Sequence, residues 1–206
     1  MCAMILKNPA KNFEFANFFT KMTACFGNLS VFEQQIHEIA TVAGIDLSQF
    51  EIDHLAVRMN SVEKAEQWRT MLLEQGELLK ESEVNGRPIA LLTLHQPLIF
   101  LNQQVDVIEL PFPKGKIYPQ EGWEHIEIVV PFLANENVDA WVERLMEKFQ
   151  LKHHSALKVK ISQPKVAGER LANPSIAISL NDETNQNNCC LKLHPYDINT
   201  IVRSES

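Results

Sequence analysis

Apolar residues crowd the first 46 positions at helical spacing. Phe13, Phe15, Ala16, Phe18, Phe19, Met22 and Phe26 recur three and four residues apart, which predicts a helix over 10–26. Gly27-Asn28 stops it. Ser30, with Glu33 three residues on, reads as a capping box for a second helix that runs to about Val42 and ends near Gly44. Exposing so many phenylalanines to water is unfavourable, so this pair is expected to pack as a lid or brace on a larger body.

Beyond residue 47 the pattern changes and then repeats. Residues 50–59 (FEIDHLAVRM) read as a strand, and Asn60 or Ser61 can cap a helix over 62–75 with Val62, Ala65, Trp68 and Leu72 near one face. Strands follow over 77–84 and 87–94, joined by Asn85-Gly86, a strong hairpin signal. Residues 104–112 (QVDVIELPF) form a fourth strand. The order then restarts with a strand over 123–131 (WEHIEIVVP). Asn135 caps a helix to about Phe149, with Val138, Trp141, Val142 and Leu145 on one face. Strands over 151–162, 173–180 and 189–196 complete it. Each helix carries one tryptophan, Trp68 or Trp141, on its apolar side.

Internal repetition of this kind decides architecture before any local signal does. It predicts an α+β chain with a helical extension over 1–46, a first β-α-β-β-β module over 47–113 and a second over 114–206. The Pro- and Gly-rich stretch 113–122 joins the modules, whose strands enclose one shared site.

Polar side chains at inward strand positions carry the chemistry, because burying an unpaired polar group costs several kcal/mol. Strand alternation puts His54, Ala56 and Arg58 on one face of the first strand, and His125 and Glu127 on one face of its counterpart. The two fourth strands align Glu109 with Lys192, and His194 shares the face of Lys192. A lone histidine on a strand is more often structural than functional. Two at matching places in two repeats shift the balance toward function. His153 and His154 lie among exposed charges, His95 follows a strand and can line a rim, and His37 sits in a helix and reads as structural.

Composition narrows the classes. The formal net charge is -7 and the densest basic stretch, 152–160, is spread out, which argues against nucleic acid. No apolar run reaches the roughly 18 residues of a membrane span, and the N-terminus lacks a secretory layout, so a cytoplasmic protein is expected. Cys2, Cys25, Cys189 and Cys190 form no metal spacing, and the last two are adjacent; all four read as free thiols.

The ordered set DHLAVR, VIEL and EHIEIVV, together with the helical extension, resembles the YecM family within the vicinal-oxygen-chelate superfamily. That superfamily includes glyoxalase I, methylmalonyl-CoA epimerase and extradiol dioxygenases. The resemblance implies an incompletely closed, eight-stranded barrel of the glyoxalase/dihydroxybiphenyl dioxygenase type. It implies metal ligands on the first and fourth strands of each module: His54, Glu109 and His125. The matching fourth position is Lys192, which cannot ligate a cation. Three protein ligands with open positions, a fourth ligand from His194, or an anion site made by Lys192 and Arg58 all stay open. The implied cofactor is a divalent ion (Zn, Mn, Ni or Fe), and the implied partner is a small oxygenated, anionic substrate. A homodimer is open. Glu127 is the candidate base for an isomerase, epimerase or lyase reaction, and iron would allow a dioxygenase. A non-catalytic binding protein of the same fold is the alternative.

Overall fold

The computed structural model describes residues 9–163, 171–182 and 189–204, with side chains from residue 14 onward. Helices α1 (Pro9–Phe26) and α2 (Leu29–Val42) precede the body. The first module is β1 (Ile52–Arg58), α3 (Val62–Leu73), β2 (Gly76–Val84), β3 (Arg87–Phe100) and β4 (Gln103–Pro111). The second is β5 (Gly122–Val129), α4 (Val138–Lys148), β6 (Leu157–Ser162), β7 (Ser175–Leu180) and β8 (Cys190–His194), followed by α5 (Ile198–Ser204).

All eight strands form one open sheet in the order β2-β3-β4-β1-β5-β8-β7-β6. Within each module the first and fourth strands run parallel, β1 with β4 and β5 with β8, while β1 and β5 meet antiparallel at the centre. The two halves are thus related by a pseudo-two-fold axis between β1 and β5. This is the paired β-α-β-β-β arrangement that the repeat predicts.

Helices α1 to α4 cover one face of the sheet, and α5 lies beside the other. Leu55, Val57, Ile126 and Ile128 on the central strands are buried beneath them in a continuous apolar core. Trp141 of α4 is fully buried and its indole Nε1 donates to the Val130 carbonyl at 2.7 Å. The N-terminal pair is a brace. Phe26 packs edge-on against both Trp68 and Trp123, at 4.8 and 5.0 Å between ring centroids, and Phe32 stacks on Trp123 at 5.6 Å. Trp123 Nε1 in turn donates to the Gly27 carbonyl. Each such aromatic contributes about 1.5–3 kcal/mol by leaving water. The brace closes so tightly on β5 that a Cβ at Gly122 would collide with the Phe26 carbonyl, at a φ of +115° that already favours glycine.

Local signals were displaced at several places. The cap of α2 is Asn28, whose side chain accepts from Ser30 and Val31, and Ser30 is not the cap. Glu33 leaves the expected capping box and accepts from the Leu101 amide at 2.7 Å, pinning the β3–β4 turn. Helix α4 is capped by Asn137 rather than Asn135, which instead takes a left-handed turn at φ +62°. The expected strand over 151–162 opens as a single 3-10 turn, Leu151–His153, with β6 starting only at Leu157, so His153 and His154 lie off the sheet. Strand β3 runs on to Phe100, with His95 inside it at an irregularity between Thr93 and Leu98. Helix α5 has no counterpart in the sequence-based expectation. Asp197 caps it, accepting from Thr200 N and Thr200 Oγ1.

Candidate metal centre

The face of the sheet away from the helices carries the polar side chains. His54 on β1 and Glu127 on β5 are cross-strand partners, as are Ala56 and His125. Across the parallel pairs, Ala56 faces Glu109 and Glu127 faces Lys192. His54 is therefore the repeat equivalent of His125, Ala56 of Glu127, and Glu109 of Lys192.

His54, Glu109, His125 and Glu127 each offer a donor atom, and the four lie within 4.8 Å of one another. His54 Nε2 is 3.5 Å from Glu109 Oε2 and 3.5 Å from Glu127 Oε2. His125 Nε2 is 3.7 Å from Glu109 Oε1 and 3.5 Å from Glu127 Oε1. Donors placed 2.0–2.2 Å from one tetrahedral ion would stand roughly 3.3–3.6 Å apart; these histidine–carboxylate separations approach that spacing, and the four donors together would have to draw in slightly around an ion. Among the described residues His54 Nε2 is buried without a hydrogen bond, in ion-pair range of both carboxylates.

Both rings are aimed from behind. His54 Nδ1 lies 2.8 Å from Asp53 Oδ2 and His125 Nδ1 3.3 Å from Glu124 Oε2. Residues adjacent in a regular strand point to opposite faces. Here the β1–β5 register skips one residue at Asp53 and one at Glu124, as at a β-bulge, which brings each acid round to the ring that follows it. A carboxylate on Nδ1 fixes the ring so that Nε2 faces the site. Asp53 also accepts from the Ile198 amide with both oxygens at 3.0 Å, tying α5 to the same ligand.

Lys192 intrudes on this group. Its Nζ is 2.8 Å from His125 Nε2 and 3.2 Å from Glu127 Oε1. His194, the alternative fourth ligand, lies beside Glu127 and lines the same cavity: its Nε2 is 3.1 Å from Glu127 Oε2 without hydrogen-bond geometry, and its Nδ1 is held by Asn173 Oδ1 at 3.1 Å. The donor group among the described residues includes Glu127 and not His194. Arg58 stands apart. Its Nε donates to the Gln120 carbonyl, its guanidinium lies over the Tyr118 ring, and it does not line the cavity in front of the cluster.

Charge balances inside the group. Burial works against a charged Glu109, but His54, Lys192 and His125 outweigh it and hold the carboxyl at about 2. Burial opposes ionisation of Glu127 too, and His194, His54 and Lys192 hold it well below the usual range. On His54 burial disfavours the cation, yet Glu127, Asp53 and Glu109 raise it well above its ordinary value. Burial likewise disfavours charge on Lys192, and Glu127 and Glu109 more than restore it. Two carboxylates facing one lysine and one histidine form a set that a divalent cation can enter by displacing the histidine proton.

A cavity of about 300 Å3 opens in front of the cluster. Glu109, Glu127 and Lys192 form its floor, strands β2, β3, β6 and β7 its walls, and Ile198, Ile201 and Val202 of α5 one side. The cysteines take no part in the donor group. Burial pushes Cys189 up to about 11 and Cys190 up to about 12, which keeps both as thiols, and Cys25, Cys189 and Cys190 are unpaired. Cys2 lies outside the described residues. Strand alternation set His54, His125 and Glu127 on inward faces; the resemblance implied His54, Glu109 and His125 as ligands and left Glu127 as a candidate base, and the structure brings all four together. Sequence reasoning missed Asp53 and Glu124 as orienting groups, because only the bulges bring them to that face.

Comparison with known proteins agrees with this geometry at the level of family. A family model described as YecM protein matches residues 21–205. An uncharacterised protein of Haemophilus influenzae is 49% identical over 187 residues, 91% of this chain and 96% of its own. Protein YecM of Escherichia coli is 38% identical over 178 residues, 86% of this chain and 90% of its own. Among solved structures, the structural-genomics protein EC4020 is similar with a TM-score of 0.74 at 32% identity, covering 100% of both chains. No helix among the described residues is long and apolar enough to cross a membrane. By the match over residues 21–205 and by these relatives, the chain belongs to the YecM family.

Proposed function

We propose that this protein is a divalent-metal-dependent enzyme of the vicinal-oxygen-chelate type, acting on a small, oxygenated, anionic substrate. One observation carries the reading: four donor side chains from β1, β4 and β5 lie within 4.8 Å of one another, with the buried His54 Nε2 between two carboxylates. Two imidazoles and two carboxylates suit Zn, Mn, Ni or Fe(II). When bound, such an ion supplies Lewis-acid polarisation of a ligand oxygen.

The chain's own groups then define the chemistry. Lys192 presents its ammonium at the cavity floor beside Glu127, where it offsets negative charge on a ligand oxygen. Glu127 is the carboxylate placed to take a proton from a carbon next to that oxygen, and Asp53 and Glu124 keep the two rings from turning. The fourth-donor and base roles of Glu127 draw on one carboxylate, whose two oxygens face different histidines. Proton transfer of this kind gives an isomerase, epimerase or lyase; oxygen chemistry at iron gives a dioxygenase. The buried thiols of Cys189 and Cys190 suit a reducing compartment such as the cytoplasm.

Elemental analysis of protein purified without chelating resin tests the reading. Wild type should hold about one equivalent of metal, and His54→Ala and Glu109→Gln should lose it. The same sub-stoichiometric content in all three refutes it. A second reading, a non-catalytic module that binds a small acid without metal, is favoured by the 2.8 Å approach of Lys192 to His125 Nε2, where an ammonium stands beside the ligand nitrogen. Thermal stabilisation by a small acid with no response to Mn, Zn, Ni or Fe would select it.

A further inference from the structure

The modules repeat a second feature that the metal site does not use. Strand β2 carries Lys80-Glu81-Ser82 and strand β6 carries Lys160-Ile161-Ser162. The ladders make these equivalent. Lys80 faces Leu91, which faces Glu109; Lys160 faces Ala177, which faces Lys192. Each lysine thus stands two strands outward from the cavity floor, on the order of 10 Å at the backbone. Both lysines and both serines line the one cavity, and Arg87 of β3 joins them. The walls and floor therefore hold four basic side chains against Glu109 and Glu127, in a chain whose formal net charge is -7.

Edge strands often carry lysine to discourage edge-to-edge pairing, and β2 and β6 are the edges of this sheet. That does not account for Arg87, which lies on an interior strand, nor for a hydroxyl at the next cavity-facing position of both edges. Ser162 Oγ lies 2.8 Å from Ser175 Oγ, so the charged groups of the facing walls are the donors suited to an anion's oxygens.

We infer that the cavity takes a ligand with two anionic ends, the outer one held by the basic wall of Lys80, Lys160 and Arg87 and the inner one at the Lys192 floor. This deepens the proposed function by naming its substrate class: a small hydroxy- or oxo-acid that carries a second carboxylate or a phosphate. The inner half rests on that proposal, whereas the outer half rests on the wall alone.

Calorimetric titration of the full chain, metal-loaded and chelated, with racemic lactate, racemic malate and 3-phosphoglycerate separates these halves. All three share adjacent hydroxyl and carboxylate oxygens, and the last two add a distal anion. Malate, 3-phosphoglycerate or both should bind wild type roughly ten-fold more tightly than lactate. In Lys160→Gln/Arg87→Gln, the gap should shrink to about two-fold while metal content stays unchanged. Equal affinity for all three acids, a gap that survives in the double variant, or no binding up to about 10 mM would overturn the inference. A preference for the acids with a distal anion that persists without stoichiometric metal would retain the basic wall while removing the metal proposal. Stoichiometric metal without the preference would do the reverse.

Discussion

Nζ of Lys192 lies 2.8 Å from Nε2 of His125, the nitrogen that faces the shared donor point. A divalent cation in the donor ring would have a positive neighbour within a few ångströms, and like charges at that range repel strongly even when partly screened. Lys192→Met is expected to tighten Zn or Mn binding by about ten-fold or more, measured by competition with a chelator. It should also weaken the binding of an acidic ligand. Unchanged metal affinity would show that the ammonium swings clear when the ion enters.

Asp53 serves two partners, the Nδ1 of His54 and the amide that opens α5. Asp53→Asn should lower metal affinity by about 10–100-fold, as for other carboxylates that orient a ligand histidine. Glu124→Gln should have a smaller effect, since its contact with His125 is longer at 3.3 Å. Equal metal Kd values for wild type and Asp53→Asn would remove Asp53 from an orienting role.

The metal-free cluster should respond to pH from both sides. His54 is raised above its ordinary 6.5, so the stability its charge confers is full below 6.5 and is lost as pH rises through the raised value. Glu109 is lowered from 4.5 to about 2, so its contribution is full above 4.5 and is lost as pH falls towards 2. Both act together between 4.5 and 6.5. Thermal melts of chelated protein should peak in that window, and the alkaline decline should vanish in His54→Gln.

The brace over the sheet is part of the core. Phe32 is 2% exposed and stacks on Trp123. Phe32→Ala should cost about 3–5 kcal/mol in denaturant melts. Removal of residues 1–45 should give an aggregating product, because it strips the cover from Trp68 and Trp123. A soluble, folded truncation would mean instead that the helices form a detachable partner surface.

Most of the architecture was legible because duplication writes each element twice. The same strand-helix-strand signals recur, and a histidine sits at the same place in each first strand, so His54 and His125 could be paired before any coordinates. The signals that failed were those with nearby competitors. Asn28 outcompetes Ser30, and Asn137 outcompetes Asn135, because caps depend on where the preceding turn ends. Strict alternation also hid Asp53 and Glu124, since a one-residue bulge is invisible in an apolar–polar pattern. Glu127 was visible on the right face, two residues after His125, but its membership of the donor ring depends on how closely β1 and β5 approach. Helix α5 is only seven residues long, and its anchor, Asp53, is remote in sequence.

The backbone has a two-fold axis between β1 and β5, but the side chains on it do not obey that axis. Where one half places alanine at residue 56 the other places Glu127, and where one places Glu109 the other places Lys192. Matched halves would present the same surface to a guest in either direction. Here one half offers a lone carboxylate beside a methyl group, and the other a carboxylate beside an ammonium. The two ends of the floor therefore differ in charge although the backbone beneath them repeats, and a guest turned end for end would meet different neighbours.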